Sequence, residues 1–312
     1  MTLYKNALKP SLTATAVLFI SACQAVSLPS LPNFSAQPVP GPEMPPAQLP
    51  SFSVGDSFIY SNGWYETIVG IDGEALNMIN KSKRKISNFR NFTLPTPYIE
   101  GKDKEFLKSS NVPTNTLWPL RVGNTSKFST QGRSISKATG QETSYIQRWS
   151  CAVEGTERIT IRAGEFDTYR VKCQRFTKTG RWWQNRTWNY APMLGTYVLR
   201  RDYHKTNGVK IRELTAIRPS LQDVPKNVRS GIIYAWQSAL ENKVNNDISS
   251  WTDKVTGTSV QVEPLATTRA DNGEFCRTYK QYLTRKGMTR IYSGIACRKD
   301  KMKWYTPRKS NR

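Results

Sequence analysis

The chain has 312 residues, with 46 Lys and Arg against 23 Asp and Glu, one histidine and a formal charge of +23. One histidine leaves little material for hydrolytic triads or histidine-rich metal sites. A body this basic is drawn to anionic surfaces.

The N-terminus carries Lys5 and Lys9, no acid before Cys23, and an apolar stretch densest at Ala16-Val17-Leu18-Phe19-Ile20. That order is a secretory signal peptide, and the stretch is shorter than the about 20 apolar residues a membrane span needs. Ile20-Ser21-Ala22-Cys23 resembles the bacterial lipobox. The resemblance implies a lipid on Cys23, cleavage before it and, with Gln24 rather than Asp next, delivery to the outer membrane. The covalent lipid is the only group expected; no cofactor, metal site or catalytic residue is. Acyl chains of this kind hold a protein on a bilayer when two or more are present. Loss of residues 1–22 takes two lysines from +23 and leaves +21. Val26 to Ser51 is rich in Pro, Ser and Ala and nearly uncharged, which reads as an extended tether.

Roughly 260 residues follow, enough for two domains. Residues 1–22 are read as signal peptide, 23–51 as lipidated cysteine and tether, 52–218 as a β-rich domain and 220–312 as a C-terminal domain. The predicted class is mainly β: a sandwich or curved half-barrel, followed by a small α+β domain of one helix and an antiparallel sheet.

In the middle domain, short runs such as Phe58-Ile59-Tyr60, Tyr65-Glu66-Thr67-Ile68-Val69 and Tyr197-Val198-Leu199 alternate with Gly, Asn, Ser and Pro clusters, the pattern of strands and turns. Arg158 to Cys173 reads as a hairpin about Ala163-Gly164. Trp149, Cys151 and Val153 share one parity, as do Tyr169, Val171 and Cys173, so each set lines one face. Cys151 and Cys173 then fall on one face of neighbouring strands, about one diagonal step apart. The basic run Lys81-Ser82-Lys83-Arg84-Lys85 reads as a solvated loop or strand edge. Trp182, Trp183 and Trp188 stand among Lys178, Arg181 and Arg186. They are a candidate ligand surface by stacking and cation–π contact, set against the plainer reading of sheet core and rim. Leu117-Trp118-Pro119-Leu120-Arg121-Val122-Gly123, Ala163 to Tyr169 and Trp188 to Gly195 resemble a pattern in uncharacterised β-rich envelope domains, which implies a fold more than an activity.

The C-terminal domain opens on Val228, Ile232, Ile233, Trp236, Ala239 and Leu240 at helical spacing, with Pro225 at the start. Lys286-Gly287 suits a two-residue turn. A hairpin centred there sets Cys276 opposite Cys297, Thr278 opposite Ile295 and Tyr282 opposite Ile291. With Cys23 lipidated, the four remaining cysteines are even in number, and an exported protein oxidises them. Of three connectivities, spacing favours Cys151–Cys173 with Cys276–Cys297. Ala239-Leu240-Glu241, Ser250-Trp251, Gly257, Val262, Pro264, Cys276-Arg277-Thr278-Tyr279, Gln281, Gly287, Gly294, Ala296-Cys297-Arg298 and Trp304 resemble the C-terminal domain of the seventeen-kilodalton (rickettsial-type) surface antigen family. The resemblance implies an outer-membrane lipoprotein and no particular chemistry. The glycine-rich segment many members carry is replaced here by the β domain.

His204 lies in the charged strand Arg200-Arg201-Asp202-Tyr203-His204-Lys205, where an exposed, non-catalytic histidine is expected. Glu157, Glu165 and Asp167 are the acids a glycan-cleaving reading would use. The sequence-level expectation is a non-enzymatic lipoprotein, held to the membrane by its lipid. Its basic body binds lipopolysaccharide, peptidoglycan or an envelope protein, and not nucleic acid. A lipid or glycolipid carrier is the alternative.

Overall fold

A computed structural model describes residues 39–270 and 272–307. The signal peptide, Cys23 and most of the tether lie outside the described residues. A two-residue strand, β1 (Val39–Pro40), precedes the main sheet. Twelve strands follow: β2 (Ser57–Tyr60), β3 (Tyr65–Asp72), β4 (Ala75–Asn80), β5 (Lys85–Phe89), β6 (Tyr98–Glu100), β7 (Lys104–Ser110), β8 (Thr125–Ser136), β9 (Glu142–Ile161), β10 (Gly164–Thr177), β11 (Trp182–Ala191), β12 (Thr196–His204) and β13 (Gly208–Arg218). Each pairs antiparallel with the next. β13 returns to β2, Leu214 against Tyr60 and Arg218 against Ser57. The sheet therefore closes into a barrel. Closure removes the free edges that an open half-barrel would expose.

The β9–β10 hairpin turns on Arg162-Ala163, with Ile161 opposite Gly164. Up to Arg170 opposite Gly155 the register is regular. The register then shifts so that Val171 faces Val153 and Cys173 faces Cys151. Glu154 is the extra residue of a β-bulge. It converts the diagonal offset expected of the cysteines into direct opposition. The Cys151–Cys173 disulfide spans Cα atoms 4.0 Å apart, the close spacing of a non-hydrogen-bonded pair.

One end of the barrel is a floor. The loop from Asn111 to Asn124 folds inward, with Leu120 fully buried and Leu117 nearly so. Asn91 ties it down, donating to the carbonyls of Thr114 and Thr116 at 2.9 Å and accepting from the Trp118 indole at 2.9 Å. The motif Leu117 to Gly123 is thus part of a plug. Residues 39–51, read as tether from composition, belong to the fold. β1 pairs with β9. Ala47 exchanges backbone hydrogen bonds with Leu120 at 3.0 and 2.8 Å, and the Tyr169 hydroxyl lies 2.9 Å from the carbonyls of Met44 and Pro45. Prolines limit its ladder pairing to short pieces; elsewhere its carbonyls accept from side chains and its rings cover apolar surface.

Beyond the floor come α1 (Lys226–Asn242) and five strands, β14 (Ser249–Asp253), β15 (Thr258–Arg269), β16 (Phe275–Arg285), β17 (Met288–Asp300) and β18 (Lys303–Tyr305). These strands pair antiparallel in chain order. They meet the barrel where Gly294 of β17 faces Ala216 of β13; a Cβ at Gly294 would collide with the Ala216 side chain. Arg290 fastens the junction, with Asp56 at 2.9 Å and the Ser51 carbonyl. β16 and β17 join through Lys286 (φ 50°) and Gly287 (φ 76°), a type I′ turn. The turn gives the register read from sequence, Thr278 opposite Ile295 and Tyr282 opposite Ile291. Cys276 and Cys297 are bonded across it, their Cα atoms 3.9 Å apart. On α1, Val228, Ile232, Ala235, Ala239 and Leu240 are buried, whereas Ile233 is exposed. Val228, Ile232, Ala235 and Ala239 step by three and four residues and Leu240 widens the stripe at the C-terminal end; Ile233, two turns earlier on the same side as Leu240, is exposed, so the structure removes it from the stripe.

Candidate functional site

In an antiparallel barrel alternate turns open at the same end. The turns 61–64, 81–84, 101–103, 137–141, 178–181 and 205–207 share the end away from the floor, here termed the mouth. They carry Lys81, Lys83, Arg84, Lys102, Lys137, Lys178, Arg181 and Lys205 against Asp103 alone. Eight cations to one carboxylate make the mouth a strongly positive rim. The floor-side turns and loops carry only Arg90, Arg121 and Arg162 against Glu74. The basic run of residues 81–85 is therefore one arc of a ring assembled from five distant turns. Some of its charge is met locally, since Lys137 pairs with Glu100 at 3.1 Å.

Below the rim the interior is polar. Alternation on neighbouring strands places Arg175, Gln184, Arg186, Arg200, Asp202 and His204 on one inner face. Gln184 stands opposite Arg175 and His204, and Arg186 opposite Cys173 and Asp202. Asp202 is the hub. It accepts from Arg186, from Arg200 at 2.6 and 2.8 Å, and from Gln184 at 3.0 Å. The Arg175 guanidinium lies between two indoles, 5.7 Å from the Trp149 ring and 5.9 Å from that of Trp183. Lys108 of β7 joins from across the barrel, opposite Gly132.

Three arginines thus flank one carboxylate, and Lys108 feels the charges of all three. Burial pushes the Lys108 ammonium down to about 8, and the charges of Arg186, Arg175 and Arg200 add to that. Arg186 is lowered to about 10 by burial and then by Arg200. Burial works against the Asp202 carboxylate, but Arg186 and Arg200 outweigh it and hold Asp202 below its usual range. His204 is held low by burial and by Arg175. Its imidazole is half-buried at the end of the inner row and is not the exposed side chain expected from sequence.

Arg186 also lines a cavity of ≈ 90 Å³ that continues toward the floor. Arg212 and Glu66, 3.6 Å apart, bound its polar side; Ile68, Met78 and Phe92 bound its apolar side. A drug-sized ligand takes about 300–1,000 Å³, so this space suits a small group and not an acyl chain. A shallower depression on the outer wall is lined by Lys127, Arg148, Gln174 and Phe176 among others.

The residues singled out from sequence divide. Arg186 and Trp188 point inward, with the guanidinium 5.5 Å from the ring. Trp183 stands at the mouth, 37% exposed. Trp182 stacks on Tyr203, ring centroids 5.7 Å apart. Arg181 is an exposed turn residue. The five do not form one surface. Among the acids, Asp167 binds Arg158 at 2.7 Å and Glu165 lies 3.8 Å from it. Glu157 accepts from Arg170 at 2.7 Å and Asn189 at 2.8 Å. Lys108, Arg175, Arg200 and Asp202 were not singled out from sequence. For Arg175, Arg200 and Asp202 the signal was the parity they share with core residues of their own strands, Cys173 and Val198.

The C-terminal unit has a different character. Glu241 of α1 accepts from the Trp304 indole at 2.8 Å and pairs with Arg298. Arg277 donates to the carbonyls of Leu240 and Lys243 at 2.7 Å, satisfying the C-terminal carbonyls of the helix. These residues clasp helix to sheet. Residues 238–305 match the family described as 17 kDa outer membrane surface antigen. The matched range of this surface-antigen domain includes the clasp and the disulfide hairpin. The barrel region resembles the hypothetical lipoprotein YmcC of Escherichia coli K12, at 10% identity and a TM-score of 0.38 over 53% of this chain and 84% of that one. It also resembles an exported protein with a YmcC-like fold from Bacteroides fragilis NCTC 9343, at 11% identity and 0.34 over 55% and 100%. No curated protein matches the chain.

Proposed function

We propose that this chain is an outer-membrane-anchored, non-enzymatic lipoprotein whose barrel mouth binds an anionic component of the envelope. The convergence of basic turns from five places in the sequence on one end of the barrel carries this reading. The other end is covered by the plug, the strap of residues 39–51 and the surface-antigen domain, so the mouth is the end left for a ligand. The lipobox at Ile20 to Cys23 and the match to an outer-membrane family support the location. The arginine-bound state of Glu157, Glu165 and Asp167 supports a binding role over glycan cleavage. The small cavity favours recognition of a charged group over transport of a whole lipid.

Binding of the full-length protein to lipopolysaccharide and to peptidoglycan sacculi tests the reading. Substituting Lys81, Lys83 and Arg84 together by Ala is expected to weaken binding several-fold. Wild-type binding is expected to fall as ionic strength rises from about 0.1 to 1 M, where the screening length drops from about 10 to 3 Å. Binding insensitive to both changes would overturn it. Separately, Cys23→Ser is expected to abolish acyl labelling and move the protein from the membrane pellet to the soluble fraction, since without its lipid the chain keeps only electrostatic attraction to the bilayer.

A further inference from the structure

We propose that the barrel interior seats a phosphate-class oxyanion on Lys108, Arg175, Arg186 and Arg200, with Asp202 as the fixed internal anion that holds the arginines in place. This deepens the anion-binding reading above by naming the ligand chemistry and moving it from the rim to the interior.

Charge comes first. Asp202 is the carboxylate whose charge reaches Arg175, Arg186 and His204, and it is shared between Arg186 and Arg200. Three positive charges are left over in a partly desolvated space, and such an excess is stable only with a counter-ion. A carboxylate ligand supplies one negative charge. A phosphate monoester supplies about 1.5 to 2 with three acceptor oxygens, the closer match.

Geometry comes second. Arginine forks bind phosphate bidentately when their orientation is fixed. Asp202 fixes two of them, and the Trp149 and Trp183 rings hold the third. Arg175 Nε and Trp149 Nε1 are buried donors without a hydrogen-bond partner among the described residues. Arg186 also faces the adjoining cavity of ≈ 90 Å³ on the floor side, whose lining does not include Lys108, Arg175 or Arg200. Trp183, half at the surface, stands on the path from the basic rim to Arg175. The interior site is thus the end of a positive gradient that begins at the turns.

Lys108 supplies the discriminating variant. Its ammonium is depressed because burial and three arginines oppose its charge, and a bound anion relieves both. Lys108→Met keeps the side-chain length and removes a desolvated charge. The free protein is expected to melt at a higher temperature, and inorganic phosphate to bind about tenfold more weakly or worse, the loss of one charge-assisted hydrogen bond. A residue with a structural role alone would shift neither in this combination.

Calorimetric titration of the full-length protein in detergent micelles, at constant chloride, provides the measurement. One arm uses inorganic phosphate. The other uses phosphatidylcholine vesicles with and without phosphatidate, which carries the same monoester on a lipid. Saturable binding in either arm, weakened by Lys108→Met, supports the proposal and identifies the source as free or lipid-borne. Wild-type affinity is expected to fall above pH about 8 as Lys108 loses its proton. Of the groups facing it beside the Arg200 guanidinium, Arg175 and Arg186 stay charged, Asp202 stays ionised, His204 is already neutral and Tyr145 stays protonated. The Lys108→Met variant is expected to lack this fall. No binding in either arm, or binding indifferent to Lys108→Met, overturns the interior site. Binding of lipopolysaccharide through the rim would survive that outcome, so the two readings fail separately.

Discussion

Asp202→Asn will destabilise the folded protein by about 3 kcal/mol in phosphate-free buffer, the lower end of the cost of removing one partner from a buried ion pair. The lower end applies because the Arg186 and Arg200 side chains each keep 20% of their surface accessible, so water screens part of the repulsion. Asn preserves the shape of Asp, so the loss measures charge and not a cavity. It leaves Lys108, Arg175, Arg186 and Arg200 facing one another with no anion in the cluster. Added phosphate should then restore much of the melting temperature, because a ligand that binds only the folded state stabilises by about 4 kcal/mol at a thousandfold excess over its dissociation constant. The pH dependence has a definite sign. The folded pKa of Asp202 is lowered, so its stabilisation is fully present above the ordinary aspartate value of about 4 and is lost as pH falls below that value. Asp202→Asn should lack this part of the acid transition. Chemical denaturation with and without phosphate, repeated across pH, provides the check. Unchanged stability would mean that Arg186 and Arg200 are satisfied without Asp202.

What could be read before the fold was known follows a physical division. The β16–β17 hairpin was legible down to register, because Lys286-Gly287 accepts positive φ and every pairing is counted from that turn. The β9–β10 pair was legible only as a shared face. The bulge at Glu154 carries no compositional mark, and one extra residue changes the partner of every later position. Barrel closure was not legible at all, since β2 and β13 lie at opposite ends of the domain sequence and pair only once the sheet has curled. Closure is also why the site was missed. Charged residues such as Arg186, Arg200, Asp202 and His204 read as solvent-facing by type, although Arg186 shares its strand face with the core residue Trp188. In the closed barrel that face turns inward along its whole length, and its charged stretch becomes an interior row. The strap of residues 39–51 misled for the converse reason. Its composition disfavours ladder pairing, yet β1 pairs with β9 and Ala47 with Leu120, and composition does not report such contacts.

Replacing both Cys151 and Cys173 by Ala is expected to cost about 3 kcal/mol, the loop-closure entropy of a bridge of this span, whose cysteines are 22 residues apart. The Cys276–Cys297 bridge spans 21, so its unfolded-state contribution is nearly the same, and the two double variants should lose similar free energy in denaturant. Their functional consequences should differ. Cys173 lies directly opposite Arg186, and Cys151 is buried in the cluster that holds Trp149 and Trp188. These indoles contact Arg175 and Arg186. The first bridge is therefore the foundation of the cationic row. Opening it frees β9 from β10 at the bulge, where the ladder is already interrupted, and both arginines lose some of their fixed geometry. The second bridge lies beyond the floor, in the surface-antigen domain. Phosphate affinity should accordingly fall several-fold in the Cys151→Ala/Cys173→Ala variant and stay within error in Cys276→Ala/Cys297→Ala. Equal losses of affinity in both, at matched stability, would show that the barrel and the surface-antigen domain act on the anion site together.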